Sequence, residues 1–230
     1  MNLQFLSNTT LFRGLQTDEI RSVLTCMNAQ EKSYRKGEVL CRAGESVSSM
    51  GMILSGSVNI VVNYYWGGSN IFGHIGPGEL FAESYAAIPG RELLADVIAD
   101  EPTEVLFLPF LRLTETCAQS CPFHNRVIHN LLQIMARKNL HLSVRMMHTA
   151  SRSIRNRLLS YLSEQAVQNG SSQFTIPFSR QQLADYLGVD RSALSNELSK
   201  MQRDGLITYK RNQFALTEKV PELFSLETKI

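Results

Sequence analysis

The spacing of glycine constrains the fold of this chain more than any other feature of its sequence. Between residues 34 and 108, short runs of β-branched and aromatic residues are interrupted by single glycines and by the turn Gly76-Pro77-Gly78. Many short strands separated by regular turns are typical of an antiparallel barrel or jelly roll. We therefore predict an antiparallel β-roll in the N-terminal half.

The segment from Pro122 to His148 has the opposite character, because it contains no glycine. Its apolar residues recur at spacings of three and four, which places them on one stripe of a long helix. They are Phe123, Val127, Ile128, Leu131, Ile134, Met135, Leu142 and Met146. Such a stripe needs an apolar partner, either the same helix of a second copy or the chain's own barrel, and different sectors can serve both.

Length and composition limit the class of protein. A chain of 230 residues is expected to build two packed cores, and 43% hydrophobic with 19% charged residues is ordinary for a soluble globular protein. No run approaches the roughly 20 apolar residues of a membrane span, and the N-terminus lacks a secretory pattern. We expect a cytoplasmic protein without membrane association. Residues 151–213 carry 9 Lys and Arg against 5 Asp and Glu, a basic excess that favours contact with phosphate.

Residues 178–198 predict two capped helices on either side of a glycine. Ser179 can cap the first helix together with Gln182, and Asp190 can cap the second. Gly188 occupies the turn, where a positive φ is needed. Leucines at positions 183, 187, 194 and 198 would be buried where the two helices cross. This pattern indicates a helix-turn-helix.

Polar side chains occupy the outward side of the second helix. They are Arg191, Ser192, Ser195, Asn196 and Lys200. Because a recognition helix enters the major groove, arginine can bind guanine there and asparagine can bind adenine. Downstream, two short strands around a basic turn predict a wing, with Lys210 and Arg211 near phosphates. Ser179, Arg180 and Gln181, where the first helix begins, are predicted to bind DNA, with Arg180 placed to contact the DNA backbone.

These segments together resemble the Crp/Fnr family of bacterial transcription regulators. The resemblance rests on residues 180–191, on the turn at 204–207, and in the sensor half on residues 36–38, 53–58 and 78–83. It implies an α+β protein: a cyclic-nucleotide-binding-like jelly roll (1–121), a long dimerisation helix (122–150) and a winged helix-turn-helix (151–230). It also implies a homodimer that binds double-stranded DNA sequence-specifically, acts with RNA polymerase, and places its recognition helices about one DNA turn apart.

The resemblance also implies an effector pocket. Its residues here are Glu83, Ser84, Leu93, Leu94 and Leu142. Glu83 matches the glutamate that binds the ribose of cyclic AMP, but Leu93 and Leu94 stand where an Arg-Ser pair holds the phosphate. Burying a phosphate against two leucines costs several kcal/mol. We predict an unknown small-molecule effector other than cyclic AMP, although Arg91 would restore the charge if the loop shifted by two residues.

The cysteines leave one alternative open. Cys26 stands alone in its region, unlike the N-terminal cysteine cluster of iron-sulfur members of the family. Cys117, Cys121 and His124 form a C-x3-C-x2-H group, a candidate metal or redox site with a spacing that is not typical of zinc. No metal or other cofactor is assigned. The motifs of metalloproteases, serine hydrolases and P-loop enzymes are missing, so we do not expect an enzyme.

Overall fold

The chain forms two compact units, Met1–Arg137 and Lys138–Ile230, whose division falls inside its longest helix. The computed structural model describes residues 2–114 and 122–217. The predicted domain limits at 121/122 and 150/151 lie on either side of this division. The last turns of the long helix therefore pack with the C-terminal residues rather than forming a separate layer.

Two four-stranded antiparallel sheets make up most of the N-terminal unit. In the first sheet the strands are ordered β1-β8-β3-β6, and in the second β2-β7-β4-β5. The strands are β1 (Gln30–Tyr34), β2 (Val39–Cys41), β3 (Ser49–Ser55), β4 (Val58–Asn63), β5 (Ser69–Ile75), β6 (Leu80–Phe81), β7 (Asp96–Ala99) and β8 (Thr103–Pro109). Within the α+β fold, the predicted antiparallel β-roll is confirmed.

A core cluster draws its residues from both sheets. Ile53 and Phe81 come from the first sheet and Val58 and Val97 from the second, and all four are at most 3% exposed. Gly51 on β3 lies against the ring of Phe81, where an added Cβ would stand 2.1 Å from the ring carbon Cζ. Glycine is required there because no side chain fits beside the ring.

Helices cover the outer face of the first sheet. They are α1 (Leu3–Ser7), α2 (Thr17–Cys26), α3 (Glu83–Ala86), α4 (Phe110–Thr114) and the long α5 (Pro122–Thr149). Val127 and Leu131 of α5 are buried in one cluster with Met50 and Met52 of β3. The side chain of Asn130 donates to the carbonyl oxygens of Leu11 and Arg13, both at 2.9 Å. The first half of α5 thus packs on its own β-roll.

The second half of α5 has a different surface. Leu142 and Met146 are 61% and 68% exposed. The apolar stripe predicted from the sequence is therefore divided, with its N-terminal part buried within the chain and its C-terminal part open to solvent. An exposed apolar stripe of this kind marks a surface that binds another apolar surface.

The C-terminal unit is a winged helix-turn-helix. After the last turns of α5 come α6 (Ile154–Asn169), β9 (Gln173–Thr175), α7 (Arg180–Leu187), α8 (Arg191–Arg203), β10 (Ile207–Lys210) and β11 (Gln213–Leu216). The strands form one antiparallel sheet in the order β10-β11-β9. We predicted the wing strands β10 and β11, but not β9, which lies at the end of a polar stretch interpreted as a loop.

Candidate nucleic-acid interface

Local hydrogen bonds fix the ends of the two motif helices, as predicted. The Ser179 hydroxyl accepts from the backbone N–H of Gln182, whose side chain accepts from the Ser179 backbone. Gly188 ends α7 with φ +64°. The Asp190 carboxylate accepts from the backbone N–H of Ser192 and of Ala193 at the start of α8. The Ser192 hydroxyl also donates to this carboxylate, and these bonds hold the pKa of Asp190 below its usual value.

A common core fixes the crossing of α7 and α8. Leu183 and Leu187 of α7 and Leu194 and Leu198 of α8 are 0% exposed and belong to one cluster. Because these positions face inward, the opposite side of α8 faces solvent. The sequence prediction of which leucines are buried is confirmed.

The exposed side of α8 carries the side chains that we predicted to read DNA. Arg191, Asn196 and Lys200 are exposed, and in the described part of the chain none of the three makes a side-chain hydrogen bond or ion pair. Ser192 and Ser195 have their hydroxyl protons engaged, the first with Asp190 and the second with the carbonyl oxygen of Arg191 at 3.0 Å. The two serines can therefore present only lone pairs to a ligand, whereas the other three side chains retain all their donors.

An arginine on α6 fixes α8 through two ion pairs, and the sequence did not indicate this contact. Arg155 on α6 donates from Nε to the Glu197 carboxylate at 2.6 Å and from Nη2 to the Asp204 carboxylate at 2.7 Å. The hydrogen bond to Glu197, more than any other contact, raises the pKa of Arg155 above its ordinary value. Two points of α8, one in its middle and one at its C-terminal cap, are thereby fixed to α6. Residues 42 and 49 positions apart give no local signal of such pairing.

Arg180 lies against the wing rather than free in solvent. Its guanidinium is 5.2 Å from the ring centroid of Tyr209 and 5.8 Å from that of Phe214, and it donates to the carbonyl oxygen of Arg211 at 3.1 Å. Burial lowers its pKa, although an arginine stays charged at any physiological pH. Arg211 has φ +57° in the wing turn, and it is exposed together with Lys210.

Gln181 also makes an internal contact. Its side-chain amide donates to the carboxylate of Asp185, one helical turn later, at 2.8 Å. The three residues predicted to bind DNA where α7 begins are thus all engaged within the protein: Ser179 in the cap, Arg180 with the wing and Gln181 on its own helix.

The predicted effector residues do not share one environment. Glu83 begins α3 and is 5% exposed, whereas the neighbouring Ser84 is exposed. Leu93 is buried in the cluster between the two sheets, but Leu94 is 68% exposed. The backbone of Leu93 pairs with the segment before β3, through N–H to the Glu45 carbonyl at 2.9 Å. Leu142, on the second half of α5, is also exposed.

The candidate metal or redox group is only partly described. Cys117 and Cys121 lie outside the described residues. His124 on α5 is 5% exposed, and neither of its ring nitrogens has a hydrogen-bond partner among residues 2–114 and 122–217. Within the described ranges, no group of three or more His, Cys, Asp or Glu is arranged to hold a metal ion.

Comparison with known proteins agrees with this architecture. The family model described as a cyclic nucleotide-binding domain matches residues 31–120, and the Crp-like helix-turn-helix domain matches residues 156–219. The chain belongs to the Crp/Fnr family. This Crp/Fnr protein is accordingly a transcription regulator with a DNA-binding helix-turn-helix and an effector-binding domain. Crp-like regulators bind DNA and function as dimers.

Individual relatives are distant but cover most of the chain. The Cyclic AMP receptor protein of Thermus thermophilus is 26% identical over 202 residues, which are 88% of this chain and 89% of that protein. The Transcriptional activator protein FnrA of Stutzerimonas stutzeri is 25% identical over 181 residues, 76% of this chain and 72% of FnrA. The solved structure of OCPA complexed CprK shares the fold with a TM-score of 0.63 at 16% identity, covering 89% of this chain and 93% of CprK.

No helix within residues 2–114 and 122–217 is both long enough and apolar enough to cross a membrane.

Proposed function

We propose that this Crp/Fnr regulator reads DNA sequence with Arg191 and Asn196, while Lys200, Lys210 and Arg211 contact phosphates. The observation that carries the proposal is the exposed face of α8, where Arg191, Asn196 and Lys200 make no side-chain hydrogen bond or ion pair with any described residue. Because the hydroxyl protons of Ser192 and Ser195 are already donated within the protein, we propose a smaller role in DNA binding for these two residues. Because α8 is fixed through Arg155, its free side chains can be presented to a groove with little further ordering.

The experiment begins with selection of a binding site from a randomised DNA library at fixed salt concentration. Affinities of the wild type and of Arg191→Ala are then measured on the selected site and on each of its single-base-pair variants. We expect Arg191→Ala to lose about 1–3 kcal/mol on the selected site and to lose discrimination at one base pair in each half-site. Arg203→Ala is the matched control, because Arg203 lies at the C-terminal end of the same helix. An equal loss on every sequence would contradict base reading by Arg191.

The surface that supports dimerisation is the exposed apolar stripe on the second half of α5. Met146→Asp is expected to produce a monomer in sedimentation experiments, because a charge would be buried in the paired helices. Val167→Asp on α6, at an 81% exposed apolar position, is the control that should leave the dimer intact. A dimer of unchanged strength in Met146→Asp would place the interface elsewhere.

We further propose that the effector is a small molecule other than cyclic AMP. The support is Leu93, whose buried side chain fills space between the sheets and offers no donor to a phosphate. Titration calorimetry with cyclic AMP is expected to give no heat of binding. Saturable binding at micromolar cyclic AMP would contradict this proposal and would direct attention to the exposed Arg91 as the anion ligand. Like other regulators of transcription, the dimer is proposed to act in the cytoplasm together with RNA polymerase.

A second candidate function is sensing of a metal or of redox state through Cys117, Cys121 and His124. One observation favours it: the buried ring of His124 has two nitrogens without a partner among the described residues, and an unpaired buried polar group is costly unless a ligand completes it. Metal analysis of the purified protein and DNA affinity with and without oxidant test it. Identical metal content and oxidant response in the wild type, Cys117→Ser and Cys121→Ser would eliminate this function.

A further inference from the structure

The C-terminal end of α7 is held by arginines from two other helices. A helix leaves its last carbonyl groups without intrahelical donors. Here Arg145 on α5 donates from Nη2 to the carbonyl oxygen of Asp185 at 3.3 Å and from Nε to that of Tyr186 at 3.2 Å. Arg157 on α6 donates to the carbonyl oxygens of the next two residues, 187 and 188, at 2.8 and 3.3 Å. The carbonyl groups of residues 185–188 are therefore each bound by a guanidinium group.

Tyr186 is held by α5 at two further points. The guanidinium carbon of Arg145 lies 5.5 Å from the Tyr186 ring centroid. The Tyr186 hydroxyl is 2.9 Å from Nδ1 of His148, which is 3% exposed. The other ring nitrogen of His148, Nε2, is 2.9 Å from the Glu164 carboxylate on α6. His148 thus connects α5, α6 and α7 in one buried contact.

The short segment between α5 and α6 is bound as well. Arg157 donates from Nε to the carbonyl oxygen of Ser151 at 2.6 Å, with the same guanidinium that binds the end of α7. The connection from α5 to the helix-turn-helix therefore does not depend on residues 150–153 alone. A second path runs through side chains, from Arg145 and His148 directly to α7.

We infer that Arg145 and His148 are positioning residues for DNA binding, which fix the last turns of α5 to the end of α7. Because α7 and α8 share one core, fixing α7 also fixes the recognition helix. A displacement of residues 138–149 then carries the whole helix-turn-helix with it. This inference rests on the proposed function for its effect on DNA, but the rigid attachment itself stands on the contacts alone.

Amide hydrogen exchange of the full-length protein without DNA tests the attachment. In the wild type, the amide hydrogens of residues 138–149 and of residues 180–187 are expected to show similar protection against exchange, because both segments belong to one cooperative unit. Arg145→Met should lower the protection of both segments and leave strands β9 to β11 unchanged. Arg145→Lys should recover part of the protection, because the lysine ammonium keeps a positive charge near the Tyr186 ring and one donor nitrogen for a carbonyl oxygen. Arg137→Met is the matched control, an exposed arginine earlier on α5.

DNA affinity on the selected site provides the second readout. Arg145→Met is expected to bind about two- to tenfold more weakly, the loss that corresponds to one net hydrogen bond. The slope of log K against log salt should stay unchanged, because Arg145 neutralises no phosphate. A slope reduced by about 0.9 would make Arg145 a phosphate contact and overturn the inference. Unchanged protection of residues 138–149 in Arg145→Met would also overturn it, even if DNA binding proved sequence-specific as proposed.

Discussion

Replacing Arg155 by methionine removes both ion pairs that hold α8 to α6 and keeps most of the apolar length of the side chain. Glu197 is only 17% exposed, so its 2.6 Å bond to Arg155 belongs to the range of about 1.5–3 kcal/mol for hydrogen bonds to charged groups. Asp204 is 47% exposed, and its pairing contributes about 0–1 kcal/mol after screening by solvent. Because Arg155 itself is 34% exposed, solvent weakens both ion pairs, so we take the lower parts of the two ranges. We therefore expect Arg155→Met to lower the free energy of unfolding by about 2 kcal/mol.

Differential scanning calorimetry of the full-length protein measures this loss. The transition of the C-terminal unit is identified by its shift on addition of the selected DNA site, since a ligand stabilises the unit that binds it. For a unit of this size, 2 kcal/mol corresponds to a decrease in Tm of about 8–16 °C. Arg152→Met is the control, because Arg152 is exposed and makes no side-chain ion pair among the described residues.

A double-mutant cycle separates the pair from general damage to the helix. If Arg155 acts through Glu197, then Glu197→Gln and Arg155→Met together should destabilise by less than the sum of the single changes, with a coupling of at least about 0.5 kcal/mol. A Tm within about 2 °C of the wild type for Arg155→Met, or fully additive effects, would refute the claim that this arginine anchors the recognition helix.

Three further outcomes are expected. Gly51→Ala should destabilise the N-terminal unit by about 1–3 kcal/mol in chemical denaturation, because the new methyl group meets the ring of Phe81, and an unchanged midpoint would show that the ring can move away. Arg180→Met should destabilise the C-terminal unit by about 1–2 kcal/mol through the lost ring contact with Tyr209 and the lost hydrogen bond to Arg211; an unchanged Tm would limit Arg180 to contact with DNA. Burial lowers the pKa of His148, so the unfolded chain takes up a proton first as the pH falls below about 6.5. The contribution of His148 to stability is therefore complete above that pH and declines below it. The variant His148→Gln should abolish this part of the pH dependence. If stability instead rises toward pH 5.5, Glu164 holds a proton on the imidazole and the reasoning is wrong.

The sequence was sufficient wherever a structural feature depends on residues close in the chain. The cap at Ser179, the turn at Gly188 and the cap at Asp190 each involve groups within four residues of one another, so their chemistry is visible as a pattern. The buried leucines of α7 and α8 follow from helical periodicity once those ends are set. The same periodicity identifies the exposed side of α8, and with it the side chains proposed to read DNA.

Neighbouring residues with different fates show where pattern reasoning ends. Leu93 and Leu94 were predicted to line one pocket, yet the first is buried between the sheets and the second is exposed. Both residues lie outside the named strands, and the burial of Leu93 accompanies the pairing of its backbone with the segment near Glu45. A single sequence does not reveal that pairing. The strand β9 was missed for a similar reason, since its three residues become a strand only by pairing with β11.

The sequence by itself determined the jelly roll, the long helix and the capped helix-turn-helix, because turn glycines, apolar periodicity and helix caps are patterns of residues that lie close together in the chain. Only the tertiary structure decided that Arg155 pairs with Glu197, that Arg180 lies on the wing, and that Arg145 and His148 fix α5 to α7. Long polar side chains have many rotamers and several candidate partners, so packing selects among them. The same packing divides the stripe of α5 into a half buried against the β-roll and a half left exposed.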